Sequence, residues 1–179
     1  MSDHPLDAWV LATAPRAVAY ARSLLRNPHD AEEIVQDCYG RLLAKADVYD
    51  LPRDGIKLLL TAISNACINL KSRRRTFFRL VRTDEDAGED VVEDPPDRAA
   101  ATPDGVARGN ELAGAIAVAL RKLPTQQRAA IQLKSLGHTQ EEIGEMLGTT
   151  SNNAGVLVHR ARQALAEHLA PFLGGEDAR

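Results

Sequence analysis

Aromatic side chains are scarce in this chain of 179 residues, which contains three phenylalanines, three tyrosines and one tryptophan. β-Sandwiches depend on aromatic and β-branched side chains, so this composition favours packed helices, and no segment requires a strand. No apolar run approaches the roughly 18 residues of a membrane span. The first residues include neither a basic nor an apolar signal-like segment. We therefore expect a cytoplasmic protein with no membrane contact of its own.

Cysteine is equally rare. Cys38 and Cys67 form no CxxC pair and have no histidine cluster nearby, which argues against a disulfide scaffold or a zinc site. Both lie on apolar stripes of predicted helices, so we expect small buried thiols. The five histidines are scattered, and no P-loop, GxSxG or HExxH motif occurs. The sequence predicts no enzyme, no metal and no cofactor.

Charge is distributed unevenly along the chain. Residues 71–82 include six basic side chains and no acid, whereas residues 83–104 include nine acids against Arg98 alone. The acidic stretch also contains three prolines and few large apolar residues, so burial cannot offset the entropy lost on ordering it. We predict an acidic flexible linker at 81–107. It separates two small all-α domains at 1–80 and 108–173, and a tail follows at 174–179.

The first domain reads as three helices. Apolar spacing and caps predict a helix over 6–25, a second opened by a capping box of Asp30 and Glu33, a turn over 50–55, and a third helix from about 54 to 75. The inward face of the second helix is predicted to contain Ile34, Cys38 and Leu42. That of the third is predicted to contain Leu59, Ile63, Ala66, Cys67 and Leu70.

The second domain carries clearer helix signals. Helices are predicted over 109–122 and 125–136, followed by a short helix that Thr139 and Glu142 open as a capping box and Gly148 closes. A last helix begins after N-cap candidates at 149–151 and ends before Pro171. A short helix, a tight turn containing glycine and a longer helix form a helix-turn-helix, whose second helix fits the DNA major groove.

Three groups of polar residues could bind partners, and each also has a plainer explanation. Arg73, Arg74 and Arg75 suit phosphate contacts, but cations also favour a helix C-terminus. Amides at the start of the last helix could read adenine edges or merely cap the helix. The acidic face of the second helix could dock on a basic partner or simply be solvated.

The ordered set of motifs resembles the extracytoplasmic-function (ECF) group of the sigma-70 family, small bacterial RNA polymerase sigma factors with only the second and fourth sigma domains. Residues 30–37 (DAEEIVQD) resemble the polymerase-docking helix. Residues 65–69 (NACIN) and 73–75 (RRR) resemble the promoter-melting helix. Residues 123–128 (LPTQQR), 137–143 (GHTQEEI) and 157–162 (LVHRAR) resemble the fourth domain.

The resemblance implies that the protein binds core RNA polymerase and directs promoter recognition and transcription initiation, with an anti-sigma factor as a further partner. The polymerase-binding residues it implies are Glu32, Glu33, Gln36, Asp37 and Arg41. For the −10 element, together with the loop over 47–55, it implies Lys57, Asn65, Asn69, Lys71, Arg73, Arg74 and Arg75. For the −35 element it implies Thr139, Gln140, Ser151, Asn152, Asn153, His159, Arg160 and Arg162.

The chain departs from the family pattern at several positions. Aliphatic residues surround Leu58, where many members carry a tryptophan, and Asn69 replaces the usual acid. Gly155 and Leu157 stand where lysine and arginine are usual. Fewer cations mean fewer phosphate contacts, so we expect weaker or shifted −35 recognition.

Other functions stay open on sequence grounds. A stand-alone helix-turn-helix regulator would bind DNA without polymerase but would give the first 80 residues no role. A sigma-like adaptor would titrate an anti-sigma protein without supporting transcription. A small enzyme is the weakest alternative, because no acid–base or metal group is positioned for catalysis.

Overall fold

The computed structural model describes residues 5–81 and 109–173, which form seven helices and include no strand. The helices are α1 Pro5–Leu24, α2 Pro28–Leu43, α3 Leu51–Val81, α4 Gly109–Lys122, α5 Thr125–Ser135, α6 Gln140–Met146 and α7 Ser151–Leu173. They form two compact units, α1–α3 and α4–α7. The predicted all-α class with two helical domains is confirmed. The domain boundaries stay a prediction, because the linker (apart from Val81) and the tail lie outside the described residues.

The first unit is a three-helix bundle in which each helix contacts the other two. The apolar stripe of α3 is its centre: Leu59, Ile63 and Cys67 are fully buried, as predicted. Leu60 and Ser64 are also buried, whereas Ala66 and Leu70 are only half-buried. The buried Ser64 hydroxyl is satisfied because it donates to the Leu60 carbonyl oxygen and shares a 2.7 Å hydrogen bond with the Tyr20 hydroxyl.

Trp9 closes one end of this bundle. Its indole packs edge-on against Tyr39, with ring centroids 5.4 Å apart and planes at 72°. It also lies directly on Gly55, where an added Cβ would come within 2.6 Å of the indole Cζ2 atom. The Tyr39 hydroxyl is hydrogen-bonded to the Thr13 hydroxyl at 2.7 Å. The lack of a side chain at Gly55 therefore allows α1 and α3 to approach each other closely.

Two predicted helix starts were wrong. The second helix begins at Pro28 rather than Asp30, because Asn27 is its N-cap, accepts a hydrogen bond from the His29 amide and precedes a proline suited to the first helical position. Residues 51–55 of the predicted turn over 50–55 instead belong to the start of α3. The Asp50 carboxylate accepts from the Arg53 amide at 3.3 Å, and Pro52 is tolerated because first-turn amides have no intrahelical partner.

The second unit is built around α7, which contacts α4, α5 and α6. The capping box predicted at Thr139 and Glu142 is confirmed in both of its hydrogen bonds. Gly137 and Gly148 end α5 and α6 with positive φ angles of 94° and 64°, which glycine adopts without strain. The predicted end of the last helix before Pro171 was wrong, because α7 continues to Leu173. Pro171 lies exposed in the last turn, where the carbonyl oxygen left without its amide donor can bind water instead.

The helix-turn-helix depends on a close approach at Gly144. A Cβ there would lie 3.0 Å from the Ser151 amide nitrogen and 3.1 Å from the Thr149 carbonyl oxygen, and the Thr149 amide donates to the Gly144 carbonyl oxygen at 2.8 Å. Thr150 completes the turn, because its hydroxyl accepts from the Asn153 amide at the start of α7. The backbone of α6 can therefore lie directly against the N-terminus of α7.

A buried arginine joins α4 to α5. Arg128 is only 2% exposed, and its Nη2 atom donates to the carbonyl oxygens of Arg121 at 2.6 Å and Leu123 at 2.8 Å. These carbonyls belong to the end of α4, where helix geometry supplies no partner. The guanidinium group therefore caps α4 from inside the unit.

No helix within the described residues is long and apolar enough to cross a bilayer.

Both cysteines are buried, as predicted. Burial raises the pKa of the Cys38 thiol to about 11 and that of the Cys67 thiol to about 12, and it also raises the pKa of the Tyr20 hydroxyl. All three groups lie in the first unit, and the whole chain has no cysteine or tyrosine after Cys67. Alkaline pH should therefore lower the stability of the first unit through these three groups.

We predict that the first unit loses stability above about pH 9, because each buried group ionises at a higher pH in the folded chain than in the unfolded chain. The stability given by the neutral forms is complete below the ordinary thiol pKa of 9.0 and is lost as the pH rises through the folded values. Urea unfolding followed by Trp9 fluorescence at increasing pH measures the slope. The matched variant Cys38→Ala/Cys67→Ala should show a shallower slope. An unfolding midpoint that does not change from about pH 8 to 10.5 would contradict the prediction.

Candidate functional site

The first candidate surface is the exposed face of α2. Glu33, Gln36, Asp37 and Arg41 line one shallow concavity, together with Gly40 and Ala44. Asp37 and Arg41 form an exposed ion pair at 2.7 Å along the helix. The structure thus brings together four of the five residues predicted to bind polymerase. Glu32, the fifth, is half-buried and forms an ion pair with Arg22 of α1.

The second candidate surface follows the side of α3 that does not pack on α1 and α2. Asn65, Asn69 and Arg73 recur at intervals of four residues and so lie along one stripe, with Asn69 and Arg73 exposed. Lys57 lies two turns before Asn65, and both are half-buried. Lys71, also half-buried, lies on another side of the helix. Arg75 belongs to α3, but its side chain is outside the described residues.

Arg74 does not join this stripe. Its Nη1 atom lies 2.8 Å from Asp30 Oδ2 in α2, and the Asp30 side chain is only 13% exposed. The pair ties the start of α2 to the distal half of α3. No ion pair in the described part of the chain involves Arg73. Two neighbouring arginines with the same predicted role therefore have different environments.

The third candidate surface is a groove on the helix-turn-helix. Gln140, Asn152, His159 and Arg160 line it, together with Gly155, Val156 and Gln163. None of these seven residues is acidic, which suits an anionic ligand. The groove thus brings together four of the eight residues predicted to bind the −35 element.

The other four have local roles or lie beside the groove. The Thr139 hydroxyl caps α6, and the Ser151 carbonyl oxygen accepts a hydrogen bond from Gln140. The Asn153 side-chain amide donates to the Thr149 hydroxyl at 2.8 Å, so this side chain is held against the turn before α7. Arg162 is exposed on α7 outside the groove.

Sequence reasoning missed several residues on these surfaces. Val156 and Gln163 lie four and eleven positions after Asn152, which is the spacing of one helical face, so periodicity from Asn152 would have found them. Gly155 lies on the same face, and the sequence singled it out only as a position without the usual cation. The acid Asp30 had no such signal, because its contact with Arg74 joins two separate helices. Among the described residues, no group of histidine, cysteine and acidic side chains is arranged to hold a metal ion.

Comparison with known proteins assigns this chain to a family. Residues 9–77 match the family described as Sigma-70 region 2, and residues 113–165 match Sigma-70, region 4. These two regions cover more than half of the chain and correspond to the two structural units. The chain therefore belongs to the sigma-70 family, in its ECF group.

Individual relatives agree with this assignment. The chain is 30% identical over 165 residues to the ECF RNA polymerase sigma factor SigE of Mycolicibacterium smegmatis; the match covers 92% of this chain and 61% of that protein. It is 28% identical over 154 residues to the ECF RNA polymerase sigma factor SigW of Bacillus subtilis, covering 82% and 79% respectively. The chain thus spans less than two thirds of the length of the mycobacterial relative.

A solved structure is also similar. The sigma factor RpoE from Bartonella quintana, crystallised in complex with the anti-sigma factor NepR, matches with a TM-score of 0.59 and 25% identity. The match covers 90% of this chain and 94% of that one. It confirms the helical fold expected of the family.

We predict that Arg74→Ala destabilises the first unit by about 1–2 kcal/mol, because the largely buried Asp30 carboxylate loses its charged partner. Arg73→Ala is the matched control and should change the free energy of unfolding by less than about 0.5 kcal/mol, as expected of an exposed side chain. Asp30→Asn should resemble Arg74→Ala. Urea unfolding monitored by Trp9 fluorescence measures all three, and equal effects at positions 73 and 74 would refute the distinction.

Proposed function

We propose that this protein binds core RNA polymerase and directs it to promoters, as a transcription initiation factor with no catalytic activity of its own. The observation that carries the proposal is that one chain combines a region 2 unit, with an exposed acidic face and a helix stripe of two amides and an arginine, and a region 4 unit with a carboxylate-free helix-turn-helix groove. A stand-alone DNA-binding regulator would need only the second unit. Its place of action would be the cytoplasm, where polymerase and DNA are available.

The exposed face of α2 formed by Glu33, Gln36, Asp37 and Arg41 is the proposed polymerase contact. Its side chains are exposed and mostly acidic or amide, so they complement a basic helical surface such as the clamp helices of the largest polymerase subunit. The Asp37–Arg41 pair holds two of these side chains in a defined arrangement. Glu32 would contribute by fixing α2 against Arg22 rather than by direct contact.

DNA would be bound at two separate places. In the first unit, the stripe of Asn65, Asn69 and Arg73 would contact the −10 element, with amides toward bases and the guanidinium toward phosphate. In the second unit, α7 would enter the major groove at the −35 element, with His159, Arg160 and Arg162 near the backbone. Arg74 would act mainly by holding α3 against Asp30.

An anti-sigma protein is the proposed regulatory partner. The similar RpoE chain is named in complex with the anti-sigma factor NepR, which makes the same class of partner reasonable here. Such a protein would compete with polymerase, so it should occupy the α2 face. Adding core polymerase to the complex should then release it.

Reconstitution with core polymerase tests the proposal. Run-off transcription on genomic fragments of the source organism should yield defined start sites only when the protein is added. Glu33→Lys should weaken core binding by about tenfold or more, because it places a cation against a basic surface. The control Asp7→Lys carries the same charge change on α1 and should bind core normally.

Each contrary outcome points to a different function. Core binding without transcription would indicate a sigma-like adaptor. Promoter binding without any need for core would indicate a stand-alone regulator. Equal core affinity of Glu33→Lys and Asp7→Lys would move the polymerase contact away from α2.

Strand separation requires a surface for unpaired bases, and the aliphatic residues that replace the family tryptophan do not supply it. Leu59 and Leu60 are buried and Leu58 is half-buried, so they contribute to the core of α3. In the segment before α3, however, Val48 is 69% exposed and Tyr49 is 39% exposed. Tyr49 is therefore the proposed stacking residue for an unpaired base.

We predict that Tyr49→Ala slows open-complex formation by about tenfold, whereas Tyr49→Phe leaves it close to the wild-type rate, because stacking depends on the ring and not on the hydroxyl. Fluorescence of a base analogue placed in the −10 element of the promoter measures the rate. Core binding by both variants should be unchanged. An equal loss in the alanine and phenylalanine variants would assign the effect to the hydroxyl instead.

A further inference from the structure

The side chain of Gln140 occupies an unusual position across the start of the recognition helix. Its Nε2 atom donates to the Ser151 carbonyl oxygen at 3.0 Å, which joins the first residue of α6 to the first residue of α7. A carbonyl oxygen only accepts hydrogen bonds, so this contact also settles which end of the amide is nitrogen. The amide is therefore held in a known orientation at one end of the groove.

Gly155 makes this position possible. A Cβ at residue 155 would lie 2.0 Å from Gln140 Nε2 and 2.8 Å from its Cδ, far inside van der Waals contact. Any side chain at 155 would therefore displace the amide from Ser151. Glycine within a helix is less favourable than alanine, so the sequence accepts a local loss of helix stability where the amide lies.

The hydrogen bonds still available to the amide have a definite pattern. A side-chain amide has two N–H donors and one carbonyl acceptor, and Ser151 uses one of the donors. One donor and one acceptor remain. Adenine presents the complementary pair in the major groove, an N7 acceptor beside an N6 donor, whereas guanine presents two acceptors.

We propose that Gln140, held over Gly155, is a specificity-determining residue that reads an adenine in the upstream promoter element. Gly155 is the positioning residue for this contact. The inference rests on the proposed function, because it requires the groove to face duplex DNA. It also gives Gly155 a role beyond the loss of a phosphate contact. Where a lysine side chain is usual, glycine leaves space for the Gln140 amide, which would read a base.

A selection experiment with the full chain and core polymerase tests this proposal. Promoters randomised across the upstream element are selected by transcription and sequenced for wild type, Gln140→Ala, Gly155→Ala and the double variant. The wild type should prefer adenine over guanine at one position by about tenfold. Gln140→Ala and Gly155→Ala should both lose that preference, at the same position, and the double variant should lose no more than either.

Gly114→Ala is the matched control, because Gly114 also lies within a helix and a Cβ there meets nothing within 4 Å. Both glycine variants should be at least as thermally stable as wild type, since alanine favours helix. Of these two glycine variants, only Gly155→Ala should lose the adenine preference, and Gly114→Ala should keep it. A lost preference therefore cannot be explained by unfolding.

Gly155→Lys gives a second readout. It should lose the adenine preference and steepen the log–log salt dependence of promoter binding by about 0.9 unit, the value of one added phosphate contact. Retention of the full preference by Gly155→Ala or Gln140→Ala would overturn the inference, as would a wild type with no adenine-selective position. If the wild type fails to transcribe with core polymerase at all, it is the proposed function that fails.

Discussion

The burial of one apolar stripe on α3 determines what the first unit can offer to partners. Leu59, Ile63 and Cys67 fill the space between α1 and α2, so the rotation of α3 about its axis is fixed. That rotation leaves Asn65, Asn69 and Arg73 along the side away from the core. It also brings Arg74 to Asp30, which fixes the start of α2. The polar surfaces proposed to bind DNA and polymerase are thus set by the packing beneath them.

The second unit follows the same logic with a closer backbone approach. Gly144 lets α6 lie against the turn, and Gly155 lets the Gln140 amide lie on α7. At both positions the lack of a side chain allows atoms of the other helix or the turn to approach the glycine closely. This changes the interpretation of the departures from the family pattern. A glycine in place of a lysine first indicates fewer phosphate contacts, but the structure shows that the vacated space is occupied by an oriented hydrogen-bonding group.

Local signals predicted much of this fold, and tertiary contacts account for most of the rest. The capping box at Thr139 and the glycine that ends α6 are encoded within a few residues, and both are confirmed. The start of α2 was wrong because two caps competed in one short segment, and Asn27 before Pro28 forms the cap instead of Asp30. The start of α3 was wrong because Pro52, which indicated a turn, instead lies in the first turn of the helix. The family resemblance also identified four of the residues that lie together on the α2 face. Local signals could not reveal the Asp30–Arg74 pair or the position of Gln140 on Gly155, because each joins two different helices.

The central claim is that one chain, bound to polymerase, contacts two separate stretches of the same promoter. Site-specific crosslinking measures this most directly, with a photoreactive residue at position 69 in α3 or at position 160 in α7 of the protein bound to core enzyme. The account predicts that position 69 crosslinks to the −10 element and position 160 to the −35 element of one DNA molecule, and only when polymerase is present. Crosslinks from both positions to the same stretch, or unchanged crosslinks without polymerase, would contradict it.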